Sequence, residues 1–156
     1  MPAPNADLPA LHREIASWPF CAAVIALDEH LGNGDRHLNN LMRMKRGSFA
    51  LIDHGKLCAT PGAVDWTVES LVPDCDYGNR LFQDLRRSGQ PLDDVASAAM
   101  DCASLHPTAF SQIAPELNYW CRRLLSRAEH EAFLAFLQER GKMLHDLLTK
   151  RFRLLC

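Results

Sequence analysis

Only one pair of strand-like runs occurs in these 156 residues, and both fall between Leu41 and Ile52. Leu41-Met42-Arg43-Met44 and Ser48-Phe49-Ala50-Leu51-Ile52 flank Lys45-Arg46-Gly47, which has the composition of a hairpin turn. After Gly55 the strand signals stop. A lone hairpin is marginal in water, so helices must supply the core. The expected fold is mainly α with one β-hairpin near the N-terminal third.

Helical periodicity covers most of the remainder. Residues 11–31 carry Leu11, Ile15, Trp18, Val24, Ile25, Leu27 and Leu31, with Pro19 marking a start or break. Gly32-Asn33-Gly34 ends that segment, because glycine and asparagine tolerate the left-handed turn after a helix. Further helices are expected over 65–71, with Asp65 as cap, over 79–87, and over 92–105. His106-Pro107 is expected to break the chain before short helices over 108–117 and 117–125. The longest helix is expected over 128–152, where Phe133, Phe136, Leu137, Leu144, Leu147, Leu148 and Phe152 recur at three- and four-residue steps. Gly141 within it marks a kink or a close approach.

The length suits a single domain, expected over 11–156 after a loose Pro- and Ala-rich arm over 1–10. Seventeen Lys and Arg against nineteen Asp and Glu give a net charge of −2, which does not support nucleic-acid binding through bulk charge. Arg122, Arg123 and Arg127, and Lys150, Arg151 and Arg153, read as solvated helix faces. No run reaches the roughly 18 apolar residues of a membrane span. The N-terminus lacks the charged and apolar regions of a secretory signal. Six cysteines stand singly, without a C-x-x-C pair, and read as reduced core thiols. On these features a cytoplasmic protein is expected. Trp18, Phe20, Trp66, Tyr119 and Trp120 read as core aromatics, with Trp120 also a candidate interface anchor.

The chemistry-bearing stretch is 33–55. Asp35 is followed by Asn40 at the start of the first strand, and Asp53 closes the second strand beside Gly55. The hairpin should return Asp53 to the side of Asn40, so that two hard oxygen donors converge as magnesium requires. Asp35 would stand further out, where a substrate hydroxyl could approach. Singly, Asp35 and Asn40 also suit turn and cap positions, and His37 suits hydrogen bonding to the loop backbone. His37 and His54 with Asp35 and Asp53 offer a second arrangement, a transition-metal site.

Gly34-Asp-Arg-His-Leu-Asn-Asn40 followed by Leu51-Ile-Asp-His-Gly55 resembles the catalytic and metal-binding loops of HipA-like kinases, and less closely those of phosphoinositide kinases. The resemblance is carried by residues 20–58, with the loops and hairpin in 32–58. It implies a kinase C-lobe-like helical domain in which Asp35 is the catalytic acid, Asn40 the second-metal amide and Asp53 the chief magnesium ligand, with magnesium and ATP as cofactors. Arg36 and His37 match the loop pattern, His37 as an accompanying catalytic-loop residue. The family also has an N-lobe with a phosphate-covering loop and a strand lysine. Nothing before Asp35 matches either, and Lys45 and Lys56 lie downstream, so the N-lobe is absent from this sequence. Three functions are therefore expected, in this order. The first is a stand-alone binding or regulatory protein, an inhibitor of a larger complex for example, with little kinase activity alone. The second is one half of a split Ser/Thr protein kinase. The third is a metal-dependent hydrolase. A protein partner follows from the first two: a larger complex, an N-lobe-supplying subunit, or a second copy of the chain.

Overall fold

The computed structural model describes residues 7–59, 63 and 65–153. Among these are five α-helices and one antiparallel hairpin, so the fold is mainly α with a single β-hairpin. The helices are α1 (Leu8–Ala16), α2 (Cys21–Leu31), α3 (Arg80–Arg87), α4 (Asp93–Leu124) and α5 (Arg127–Arg153). The strands are β1 (Leu41–Lys45) and β2 (Ser48–Leu51), with short 3-10 turns at Leu38–Asn40 and Val68–Ser70. No described helix is long and apolar enough to cross a membrane.

Helix α1 begins inside the segment expected to be a loose arm. Asp7 caps it by accepting from the Ala10 amide, and Pro9 sits in the first turn, where a missing N–H costs nothing. Residues 1–6 of that arm lie outside the described residues. The chain then turns through 17–20 around Pro19, so the expected 11–31 segment is two helices. Gly32 closes α2 at φ 61°, the left-handed conformation expected of it. Glu14 on α1 holds the hairpin by accepting from Arg43 Nε at 3.0 Å and from the Gly47 amide at 2.6 Å.

Helices α2, α4 and α5 pack on one another. The main core joins Ile15, Trp18, Ile25, Phe49, Phe82 and Leu148. A second cluster gathers around Cys58, Tyr77, Phe136 and Leu137. Cys21, Cys58 and Cys121 are buried thiols, and Cys75 and Cys102 are half-buried; Cys156 lies outside the described residues. Phe20 is 64% exposed and Trp120 49% exposed, so neither is the core residue expected of an aromatic, and Tyr119 beside Trp120 is exposed as well. The Arg123 guanidinium lies over the Tyr119 ring.

His106-Pro107 does not end a helix. Helix α4 runs unbroken through Pro107 and Pro115. A proline inside a helix removes a hydrogen bond and costs about 3 kcal/mol in isolation. Here the packed face continues across it. Ala99 and Ala103 are buried before the proline, His106 and Phe110 sit against His30 on either side of it, and Cys121 is buried further on. The cap after Gly55 is also displaced: Thr67 rather than Asp65 caps a short 3-10 turn. Gly141 marks a close approach without breaking α5, since a Cβ there would meet His30 Nε2 at 3.3 Å.

The buried charges were not apparent as core residues. Arg140 is fully buried and donates to the carbonyls of Glu29, His30, Pro73 and Cys75. Arg151, expected on a solvated face, is instead buried and paired with both Glu29 and Asp76. α5 is thereby fastened to the C-terminal end of α2 and to the loop before α3.

His30 Nε2 lies 2.8 Å from the Leu137 carbonyl. A carbonyl only accepts, so Nε2 carries the proton and Nδ1 accepts from His106 Nδ1 at 3.1 Å. Burial lowers the pKa of both rings, that of His106 to about 4, and the Arg140 charge adds to the effect at His30. A depressed folded-state pKa favours the neutral ring in the fold. Its stabilisation is full above the unfolded value of about 6.5 and is lost as pH falls towards 4. The urea midpoint should therefore drop between pH 6.5 and 4, and His106→Phe should flatten that drop. Asp76 does not contribute in this window, because its hydrogen bonds with Arg151 hold its carboxyl below 3.8.

Candidate functional site

The loop after α2 is built from beneath by one buried carboxylate. Asp28, on the last turns of α2, accepts from Asn33 Nδ2 at 2.7 Å and from Arg36 Nε and Nη2 at 3.1 Å each. Asp28 and Arg36 are fully buried. Burial pushes the Asp28 carboxyl up, and the Arg36 guanidinium and Asn33 amide oppose that rise. Asn33 Oδ1 accepts from the Asp35 amide at 3.2 Å. These contacts fix the direction in which the chain leaves Asn33 and carries Asp35 to the surface.

Arg36 then joins two loops. Its remaining nitrogen, Nη1, donates to the Ile52 carbonyl at 3.0 Å, and the Ile52 amide donates to the Asn40 carbonyl at 3.0 Å. Both backbone polar groups of Ile52 are thus held by the segment carrying Asp35 and Asn40. The strand register Leu41↔Leu51 continues this pairing. Asp53 follows at once, with φ 55°. A non-glycine residue in the left-handed region carries strain of about 1 kcal/mol or more, and such strain concentrates at functional sites. The Asp53 side chain is exposed.

The orientation of Asn40 follows from its single side-chain contact. Asn40 Nδ2 donates to the Asp35 carbonyl at 2.9 Å. That carbonyl can only accept, so the amide nitrogen must face it and Oδ1 points elsewhere. No described residue donates to Oδ1. The buried Asn40 amide oxygen and the exposed Asp53 carboxylate are both hard-oxygen donors, and they stand on backbone segments joined by the Ile52–Asn40 hydrogen bond. The structure therefore brings Asp35, Asn40 and Asp53 onto one framework.

The histidines do not join it as metal ligands. His37 Nδ1 is buried without a hydrogen-bond partner, where a bond to the loop backbone was expected. Its backbone amide, not its ring, closes the turn on the Asp35 carbonyl. His54 is exposed. Among the described residues no three His, Cys, Asp or Glu side chains are grouped closely enough to hold a metal, so the His/carboxylate arrangement has no ligand set.

Two further residues stand at the site. Lys56 Nζ and Arg80 Nη1 each lie 3.9 Å from the half-buried Asp35 carboxylate. Arg80 opens α3 just after Asn79, whose side chain caps that helix. Arg80 also lines a cavity of about 270 Å³ with His37, Leu38, Asn39 and Asp84. No local sequence signal marks Arg80, because its neighbourhood with Asp35 exists only once residues 77–79 meet Gly34 and the Ile25 carbonyl.

Gly34 sets the position of this loop. A Cβ there would lie 2.1 Å from the Tyr77 carbonyl oxygen, a backbone atom that cannot swing aside. Gly34→Ala should cost roughly 1–3 kcal/mol, the range of overpacking, and displace the neighbouring Asp35. The check is a denaturation midpoint together with the amide shifts of residues 33–37 and 77–79.

No family model, curated protein or solved structure matches the chain. The resemblance to HipA-like kinases rests on the motif residues themselves.

Proposed function

We propose that this chain is the metal-binding lobe of a magnesium- and ATP-dependent phosphotransferase similar to the HipA-like kinases, acting on a protein hydroxyl in the cytoplasm. One observation supports the reading: the Asn40 amide nitrogen is spent on the Asp35 carbonyl, no described residue donates to Oδ1, and the Asn40 backbone is hydrogen-bonded to Ile52, the residue before the exposed, left-handed Asp53. Magnesium on these two oxygens would supply charge neutralisation for the nucleotide phosphates. The chain's own residues do the rest. Arg36 and Asn33 hold the framework rigid, so that Asp35 stands ready to take the proton of an incoming hydroxyl. Positioning and electrostatic stabilisation supply most of the catalysis in phosphoryl transfer. These residues lack a phosphate-covering loop and a strand lysine, so the upper wall of the site comes from outside them, in this reading from a second lobe.

A second reading is a binding or regulatory protein that keeps the framework for its stability. Exposed apolar side chains favour it: Phe20, Met42, Met44 and Ile52 are all exposed around the hairpin. Such a face suits a partner protein, a second lobe or a second copy of the chain. Calorimetry with ATP and magnesium separates the two readings. The phosphotransferase reading predicts binding that Asp53→Ala weakens by about a hundredfold or more, since a ligand charge is lost. Absence of heat from the wild type, with and without a β-rich partner, would leave only the regulatory reading.

A further inference from the structure

We infer that Lys56 and Arg80 form a binding site for a tetrahedral phosphate dianion, the phosphoryl group to be transferred. This deepens the proposed phosphotransferase reading and rests on it for the identity of the donor.

Two cations from separate segments converge on one carboxylate. Lys56 follows the Asp53–Gly55 turn, and Arg80 opens α3. At 3.9 Å neither is within hydrogen-bonding distance of Asp35. No described residue accepts a hydrogen bond from Lys56 Nζ or from the Arg80 guanidinium. Both side chains are half exposed, so an ordinary surface ion pair with Asp35 would contribute little, about 0–1 kcal/mol. Their ammonium and guanidinium donors remain unspent, next to the residue proposed to take the proton.

The local charge supports an anion. With Asp53 given to magnesium in the proposed reading, two cations against the Asp35 carboxylate leave an excess positive charge. Asp84, the other acid at the neighbouring cavity, is already paired with Arg87 at 3.6 Å. A phosphate dianion between Lys56 and Arg80 would complete the balance, and the guanidinium fork matches two phosphate oxygens. This placement also answers a difficulty of the proposed chemistry. A carboxylate base and a phosphoryl group repel each other, and two flanking cations offset that repulsion. In the transfer, the acceptor oxygen bonds to phosphorus as the bond to the nucleoside diphosphate breaks. The hydroxyl proton passes to Asp35, and the negative charge of the transferred group stays between Lys56 and Arg80.

The test uses the whole chain and NMR-detected titration of backbone amides with inorganic phosphate, Mg·ADP and Mg·ATP. The variants are Lys56→Ala with Arg80→Ala, and Asp53→Ala. Both cations are half exposed, so the double variant should fold, and its amide spectrum shows whether it does. Inorganic phosphate should shift amides of residues 54–57 and 79–81 in the wild type and in Asp53→Ala but not in the double variant. Mg·ATP should bind about tenfold tighter than Mg·ADP, and the double variant should lose that preference while still binding Mg·ADP. A double variant that keeps both the phosphate response and the ATP preference overturns the assignment. So does a folded wild type that responds to neither phosphate nor the third phosphate of ATP. A phosphate response at Lys56 and Arg80 with no response to either magnesium nucleotide keeps the anion site and removes the phosphotransferase reading.

Discussion

Arg140→Ala should lower the free energy of unfolding by roughly 3–5 kcal/mol, the cost of breaking a buried charge pair. The guanidinium is fully buried and lies over the rings of Tyr77 and Phe136. It donates to four backbone carbonyls, two at the end of α2 and two in the segment before α3. Alanine would remove the guanidinium from all four carbonyls, of which Glu29 keeps the Gly32 amide, open a cavity between the aromatic rings, and remove one cation from the Glu29 carboxylate. Arg140→Lys restores the charge but not the five-donor fork, so it should recover only part of the loss. Chemical denaturation of the three proteins provides the comparison. A loss below about 1 kcal/mol for alanine would mean that water replaces the guanidinium at no cost, and that this network does not fasten α5 to α2.

Arg36→Ala should have an effect of similar size, about 3–5 kcal/mol, for a related reason with a different consequence. It leaves Asp28 buried without its cation and frees the Ile52 carbonyl. Arg36 joins the loop of Asp35 to the strand end that carries Asp53, so the damage should reach the site as well as the fold. Amide shifts should spread from residues 33–40 to 51–55. The double replacement Asp28→Leu with Arg36→Met removes both charges at once. It should recover much of the stability, because an apolar pair of similar volume carries no desolvation penalty. It should not recover the magnesium binding proposed for the site, since nothing then holds the Ile52 carbonyl. Stability and site geometry would separate in that variant.

The elements set by local signals were legible in the sequence. Gly32 ends α2, Gly47 turns the hairpin at φ 69°, the helix read over 79–87 is α3, and the apolar repeat of α5 runs as read. The return of the Ile52–Asp53 segment to the side of Asn40 was legible because the hairpin between them is short. Pro107 misled, because a helix packed on both sides of a proline tolerates a defect that an isolated helix does not. The run Asp28-Glu29-His30 gave no sign of burial. Glu29 and His30 have partners distant in sequence, Arg140, Arg151 and His106, and only packing of α4 and α5 on α2 makes these two polar residues acceptable in the interior. The approach of Arg80 to Asp35 was not legible either, because the two meet only where residues 77–80 fold against Gly34.

The most direct test of the account replaces magnesium with paramagnetic manganese in the presence of ADP and follows line broadening across the amide spectrum. The account predicts that broadening centres on the Asn40 side-chain amide and the backbone amides of residues 53–55, and that Asp53→Ala abolishes it. Broadening centred elsewhere, or none at saturating manganese and nucleotide, would contradict the claim that Asn40 and Asp53 offer their oxygens to one cation.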